Sequence, residues 1–254
     1  MKLFYRQSGS GVPLIILHGL FGSSDNWFSL AKVFAEKYSV YLVDQRNHGQ
    51  SPQSDDFNYQ LLAEDLREFI QEHKLQKPNI IGHSMGGKIA MNFAVNYPDQ
   101  LNKLMIVDIV PKQYPIHHDQ ILEGLLSLDL DTTASRSQAD EALSNYVPQV
   151  DVRQFLLKNL YRTSDGKFAW RINLDAINNH IEEMGAGMQY AGQFNGTTLF
   201  LIGARSNYFE QGDETIIKNI FPNATIKSID TGHWVQAEKP QEFAEIVSEF
   251  LTNK

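Results

Sequence analysis

The chain has 254 residues, 42% hydrophobic and 20% charged, which suits one large α/β domain or a domain carrying an insertion. A net charge of −8 argues against nucleic acid and anionic membrane surfaces as partners. The absence of cysteine removes thiol catalysis, Cys-ligated zinc and iron–sulfur clusters.

Met1-Lys2-Leu3-Phe4-Tyr5-Arg6 has no apolar core like that of a secretory signal, and no run approaches the roughly 18 apolar residues of a membrane span. A cytoplasmic protein is the expectation. Leu14-Ile15-Ile16-Leu17 is a short apolar run closed by His18-Gly19, and Val40-Tyr41-Leu42-Val43 is another, closed by Asp44. Both read as strands buried on two faces, as in a parallel sheet. The loop Asp44 to Ser51 reads as structural, with Asp44 and Arg46 satisfying buried polar groups. Asn58 is placed to cap a helix whose apolar face is Leu61, Leu62, Leu66, Phe69 and Ile70. His73 ends its polar side and is expected in solvent.

The third strand, Asn79-Ile80-Ile81, leads into Gly82-His83-Ser84-Met85-Gly86 and then a helix bearing Ile89, Phe93 and Tyr97, which stops at Pro98. Leu104-Met105-Ile106-Val107 ends in Asp108. Between Pro111 and about Asn195 the alternation breaks. Amphipathic segments at 121–128, 138–146, 153–160 and 172–181 follow one another with no convincing strand. This reads as a helical lid over 113–194, with the core supplied by 1–112 and 195–254. Thr198-Leu199-Phe200-Leu201-Ile202 and Ala224-Thr225-Ile226-Lys227-Ser228-Ile229 resume the strands. The last helix carries the stripe Phe243, Ile246, Val247, Phe250, Leu251. Strands alternating with helices imply a doubly wound, mostly parallel sheet, whose ligands bind at the C-terminal edge.

The G-x-S-x-G stretch follows a strand and opens a helix, the setting in which a serine becomes a nucleophile on a strained corner. Close packing there explains Gly82 and Gly86. The Met85 N–H, at the helix start, suits a developing oxyanion. The loop His18-Gly19-Leu20-Phe21 is expected to supply a second amide, that of Leu20, because Gly19 lets the backbone approach closely. His18 and His83, in glycine-containing turns, support the site, as His48 supports its own strand end. Of eight histidines, His233, in Asp230-Thr231-Gly232-His233-Trp234 after the final strand, suits the general base. His117-His118-Asp119 reads as a polar lid segment rather than a metal site, since a third separated ligand is lacking; His180 also falls in the lid. For the orienting acid, Asp108 is favoured, with Glu210 and Asp213 in reserve, because Ser206 and Asn207 stand where an Asp is often found. No metal and no cofactor is implied. Among aromatic residues, Phe21, Trp170, Tyr208 and Trp234 are candidate substrate contacts, and Arg205 or Lys112 can meet an anionic group.

In order, HGLFGSSDNW, DQRNHGQS, GHSMGG, VDIVP, GARSNYF and GHWVQAEKP resemble the α/β-hydrolase superfamily over essentially the whole chain, with most similarity to YbfF-type carboxylesterases. In that branch the acid follows the strand after the nucleophile helix, as at Asp108. A later strand is followed by S-x-Y/F, as at Ser206 and Tyr208, and Phe168 to Leu174 is similar to the branch's lid. The resemblance implies the α/β-hydrolase fold and hydrolysis of small-molecule carboxylic esters through an acyl-enzyme. Acyl-CoA thioesters are an alternative substrate, and carbon–carbon or perhydrolase chemistry stays open. A non-catalytic ligand-binding protein on the same fold is the rival from another class. Dehalogenases and epoxide hydrolases attack with a carboxylate, which Ser84 disfavours.

Overall fold

The computed structural model describes residues 1–115, 119–187, 190 and 192–252. The chain begins with strands β1 (Tyr5–Ser8) and β2 (Val12–Leu17), helix α1 (Phe28–Phe34) and strand β3 (Tyr38–Val43). Helix α2 (Tyr59–Glu72), strand β4 (Asn79–His83), helix α3 (Met85–Asn96) and strand β5 (Lys103–Val107) follow. Next come helices α4 (Asp119–Leu126), α5 (Arg136–Leu143) and α6 (Val150–Leu156), strands β6 (Leu160–Arg162) and β7 (Phe168–Trp170), and helices α7 (Leu174–Asn179) and α8 (Ile181–Gly185). Strand β8 (Thr197–Gly203), helix α9 (Asp213–Ile220), strand β9 (Ala224–Ile229), and helices α10 (Val235–Glu238) and α11 (Pro240–Thr252) complete it.

Among the described residues one sheet runs β1-β3-β2-β4-β5-β8-β9, parallel except for β1 against β3. Side chains alternate across a strand, so each apolar run feeds two layers. Ile15, Leu17, Ile80, Leu104 and Ile106 enter the core under α2 and α3. Leu14, Ile16, Ile81, Met105 and Val107 enter the opposite core with Trp27, Leu30, Phe243 and Val247. Each fully buried aliphatic side chain contributes about 1.5–3 kcal/mol, and both faces are thereby covered.

Asn58 caps α2 as the sequence indicates, its Oδ1 accepting from the Leu61 N–H at 2.9 Å. Leu62, Leu66, Phe69 and Ile70 are buried, while Leu61 is half-buried. Two sequence expectations change. His73 is half-buried, its ring 4.5 Å from those of Tyr5 and Phe69. The insertion also contains strands: β6 and β7 pair in an antiparallel hairpin, with Leu160 opposite Trp170. Three-residue strands are too short to show a periodicity of two against a helical background.

Because β2, β4, β5, β8 and β9 are parallel, the loops after them meet at one edge of the sheet. The insertion, from α4 to α8, leaves the chain at that same edge, between β5 and β8.

Candidate active site

At the tip of β4, Ser84 has φ 52 and ψ −118. A non-glycine residue in that region costs on the order of 1–3 kcal/mol and persists only where packing imposes it. Here the packing is visible. A Cβ on Gly82 would lie 2.3 Å from the Gly86 carbonyl oxygen, and one on Gly86 would lie 2.4 Å from the Leu17 oxygen. Strand and helix approach so closely that the chain turns at Ser84 alone.

Met85 is the first helical residue, so its N–H lies outside the helix ladder. The turn after β2 passes directly over the serine: a Cβ on Gly19 would stand 3.2 Å from Ser84 Cβ. Two buried histidines hold this turn, and a third, His83, holds the loop that carries His233. The Gln45 N–H donates to His18 Nε2 at 3.0 Å, so Nδ1–H donates to the Gly19 oxygen at 2.8 Å. The Phe21 N–H donates to His48 Nε2 at 3.2 Å, and His48 Nδ1–H donates to the Arg46 oxygen. His83 Nε2–H donates to the His233 carbonyl at 3.0 Å. Burial lowers the pKa of all three, to about 3 for His48 and His83, keeping them neutral. Asn159, from the insertion, donates to the Phe21 oxygen at 2.7 Å. Nothing in the sequence around Asn159 marked it for that task.

The loop Asp44 to Ser51 is structural, as expected. Asp44 accepts from the Ser24 and Gln50 amides, and Arg46 forms a buried pair with Asp65.

At the tip of β5, fully buried Asp108 has φ 50. Its Oδ1 accepts from the Gly203 N–H at 2.8 Å, and its Oδ2 faces His233 Nδ1 at 2.7 Å. Ser206 Oγ donates to the same Oδ2. Tyr208 stacks on the His233 imidazole, with ring centroids 4.1 Å apart and planes at 19°. The reserve acids lie elsewhere: Glu210 and Asp213 bind Lys112 Nζ at 2.9 and 2.7 Å. That pairing also occupies Lys112, and Arg205 is neutralised by Asp230 and Glu238, both at 3.0 Å. Both cations are thus paired with carboxylates.

Two chambers adjoin Ser84. The larger, about 390 Å³, is lined by His18, Gly19, Phe21, His83 and His233, by Trp234, and by Val152, Phe155 and Leu156 of α6. The smaller, about 50 Å³, is lined by Met85, Lys88, Tyr59, Ile109, Tyr114 and Met184. Leu20, Ser84 and Tyr208 border both. Phe21, Tyr208 and Trp234 thus meet the site. Trp170 does not: it sits half-buried in β7, packed on the core and lining neither chamber. Position within the insertion did not tell which aromatic side chains turn inward.

Lys88, one helical turn beyond Ser84, is buried with no carboxylate partner among the described residues. Its Nζ donates to the carbonyls of Met184, Gly185 and Ala186 at 3.3, 3.3 and 2.8 Å. Burial lowers its pKa to about 8. Nothing in the sequence around Lys88 marks it for this role. Among the described residues no group of three or more His, Asp or Glu is arranged to hold a metal ion, and His117 and His118 lie outside them. Nor is any helix among them long and apolar enough to cross a membrane.

The sequence profile of the family described as alpha/beta hydrolase fold matches residues 12–144. The sn-1-specific diacylglycerol lipase ABHD11 of Mus musculus is 37% identical over 247 residues, covering 94% of this chain and 80% of that protein. The esterase YbfF of Escherichia coli is 32% identical over 243 residues, covering 95% and 93%. A solved esterase of a marine microorganism superposes with a TM-score of 0.96 at 43% identity, covering 98% of this chain and 99% of that one. Sheet order, serine corner and relatives agree: the chain belongs to the α/β-hydrolase superfamily.

Proposed function

We propose that the protein is a serine carboxylesterase in which Ser84, His233 and Asp108 form the catalytic triad. One observation carries the reading. The Asp108–His233 pair, 2.7 Å apart, stands at the sheet edge where strained Ser84 opens into the same chamber as His233. The relatives named esterase or lipase support ester bonds as the target.

Asp108 accepts from His233 Nδ1–H, which leaves Nε2 as the base. His233 takes the Ser84 proton as Oγ attacks the ester carbonyl. The Leu20 and Met85 amides bind the oxyanion; the Leu20 N–H has no partner among the described residues. Protonated His233 then gives its proton to the departing alcohol, and water, activated in turn by His233, releases the acid. The helices of the insertion act as a lid that shields the acyl-enzyme. The substrate is a small-molecule ester of a small or medium acyl chain.

Turnover of p-nitrophenyl butyrate by Ser84→Ala tests this, with folding checked by thermal melting. A loss of kcat on the order of 10⁶ is expected. Retained turnover in a folded variant would overturn the assignment.

A further inference from the structure

Resting on the esterase reading above, we propose that the small chamber behind Ser84 is the acyl pocket, that Lys88 and its partners set its end, and that the alcohol occupies the large chamber. The protein therefore selects esters of short acids with bulky apolar alcohols.

The assignment follows from proton transfer. In the tetrahedral intermediate the oxyanion points to the Leu20 and Met85 amides. The leaving oxygen must lie beside the imidazole that protonates it. His233 lines the large chamber and not the small one. The alcohol therefore leaves through the large chamber, and the acyl substituent has the small one, against Met85 and Lys88.

Size sets the selectivity. About 50 Å³ is room for about three or four water-sized groups, an acetyl to butyryl chain. The end wall does not yield. Lys88 Nζ spends its three N–H bonds on the carbonyls of Met184, Gly185 and Ala186. The Tyr59 hydroxyl donates to the Met184 oxygen at 3.0 Å, and the Tyr114 N–H to the Gly185 oxygen at 2.9 Å. The Tyr114 hydroxyl in turn donates to the Tyr208 oxygen at 2.8 Å. A longer chain would have to break buried hydrogen bonds and strand a buried ammonium. The large chamber instead has apolar walls of Trp27, Val152, Phe155 and Trp234, and exposed Asp151, Gln154 and Lys158 also border it.

The test is a matrix of esters: acetate, butyrate and octanoate, each of ethanol and 1-naphthol. The expected kcat/KM falls at least about tenfold from butyrate to octanoate with either alcohol, and does not fall when naphthol replaces ethanol. Ile181 also lines the small chamber, and Ile181→Ala, which enlarges it, is expected to raise the octanoate-to-acetate ratio about tenfold. Val152→Trp, which fills the large one, lowers the naphthyl-to-ethyl ratio. Ratios within one preparation are unaffected by a partly unfolded fraction. Preference for octanoate, or an octanoate ratio moved by Val152→Trp and not by Ile181→Ala, overturns the pocket assignment while the esterase reading stands. Ester turnover that survives Ser84→Ala overturns both.

Discussion

Ser206 donates its hydroxyl hydrogen to Oδ2 of Asp108, the same oxygen that faces His233 Nδ1. A residue standing where this fold often carries its acid thus serves an acid on the neighbouring strand. Hydrogen bonds to charged groups contribute about 1.5–3 kcal/mol. Ser206→Ala is expected to lower kcat about tenfold with little change in KM, because the hydroxyl acts through the imidazole and not on substrate. Steady-state kinetics on one ester checks this; a raised KM at constant kcat would place Ser206 in substrate binding instead.

Asp108→Asn is expected to lower kcat by about 10⁴, the loss seen when the orienting carboxylate becomes an amide. Asp213→Asn should cost less than about tenfold, since its carboxylate is bound to Lys112 and not to His233. The two variants assayed side by side decide between the acids. The opposite ranking would transfer the role to Asp213.

Acid should unfold the protein early. His48 and His83 are buried, with pKa values lowered from 6.5 to about 3, and His18 is lowered as well. Between pH 6.5 and 3 the unfolded chain binds protons that the folded chain refuses, so stability falls as pH falls through this window. At about 1.36 kcal/mol per pH unit, each of the two histidines withdraws about 2 kcal/mol between pH 6.5 and about pH 5. Urea titrations across this range are expected to show the loss; a flat stability would contradict the neutral, buried state of the three rings.

Gly82→Ala should be destabilising well beyond helix or strand propensity, since its Cβ would lie 2.3 Å from backbone oxygen and 2.8 Å from Gly87 Cα. Overpacking of this kind costs about 3 kcal/mol or more, lowering Tm by about 6–12 °C for a chain of this size. Calorimetry of the variant measures it. An unchanged Tm would mean that the corner is looser than its geometry.

The parts of the fold legible in the sequence are those with strong periodicity. The buried strands β2 to β5 and β8 announce themselves as apolar runs, and α2, α3 and α11 as stripes. Strand β1, Tyr5-Arg6-Gln7-Ser8, is an edge strand with mixed burial, so no apolar run marks it. The pairing of Asp108 with His233 could be expected because both close strands of one sheet edge. The tasks of Asn159, Ser206 and Lys88 could not, since each depends on a partner 98 to 138 residues away whose approach only the tertiary fold fixes. For the same reason the sequence does not show that Trp170 lines neither chamber.

One serine, out of all those in the chain, is expected to be a nucleophile activated by His233. Treating the protein with a fluorophosphonate and mapping the adduct by peptide mass spectrometry tests it most directly. A single adduct on Ser84, formed rapidly in the native chain and slowed severely in a folded His233→Ala variant, is the expected result. An adduct on a different serine, or labelling of Ser84 at the same rate without the imidazole, would contradict it.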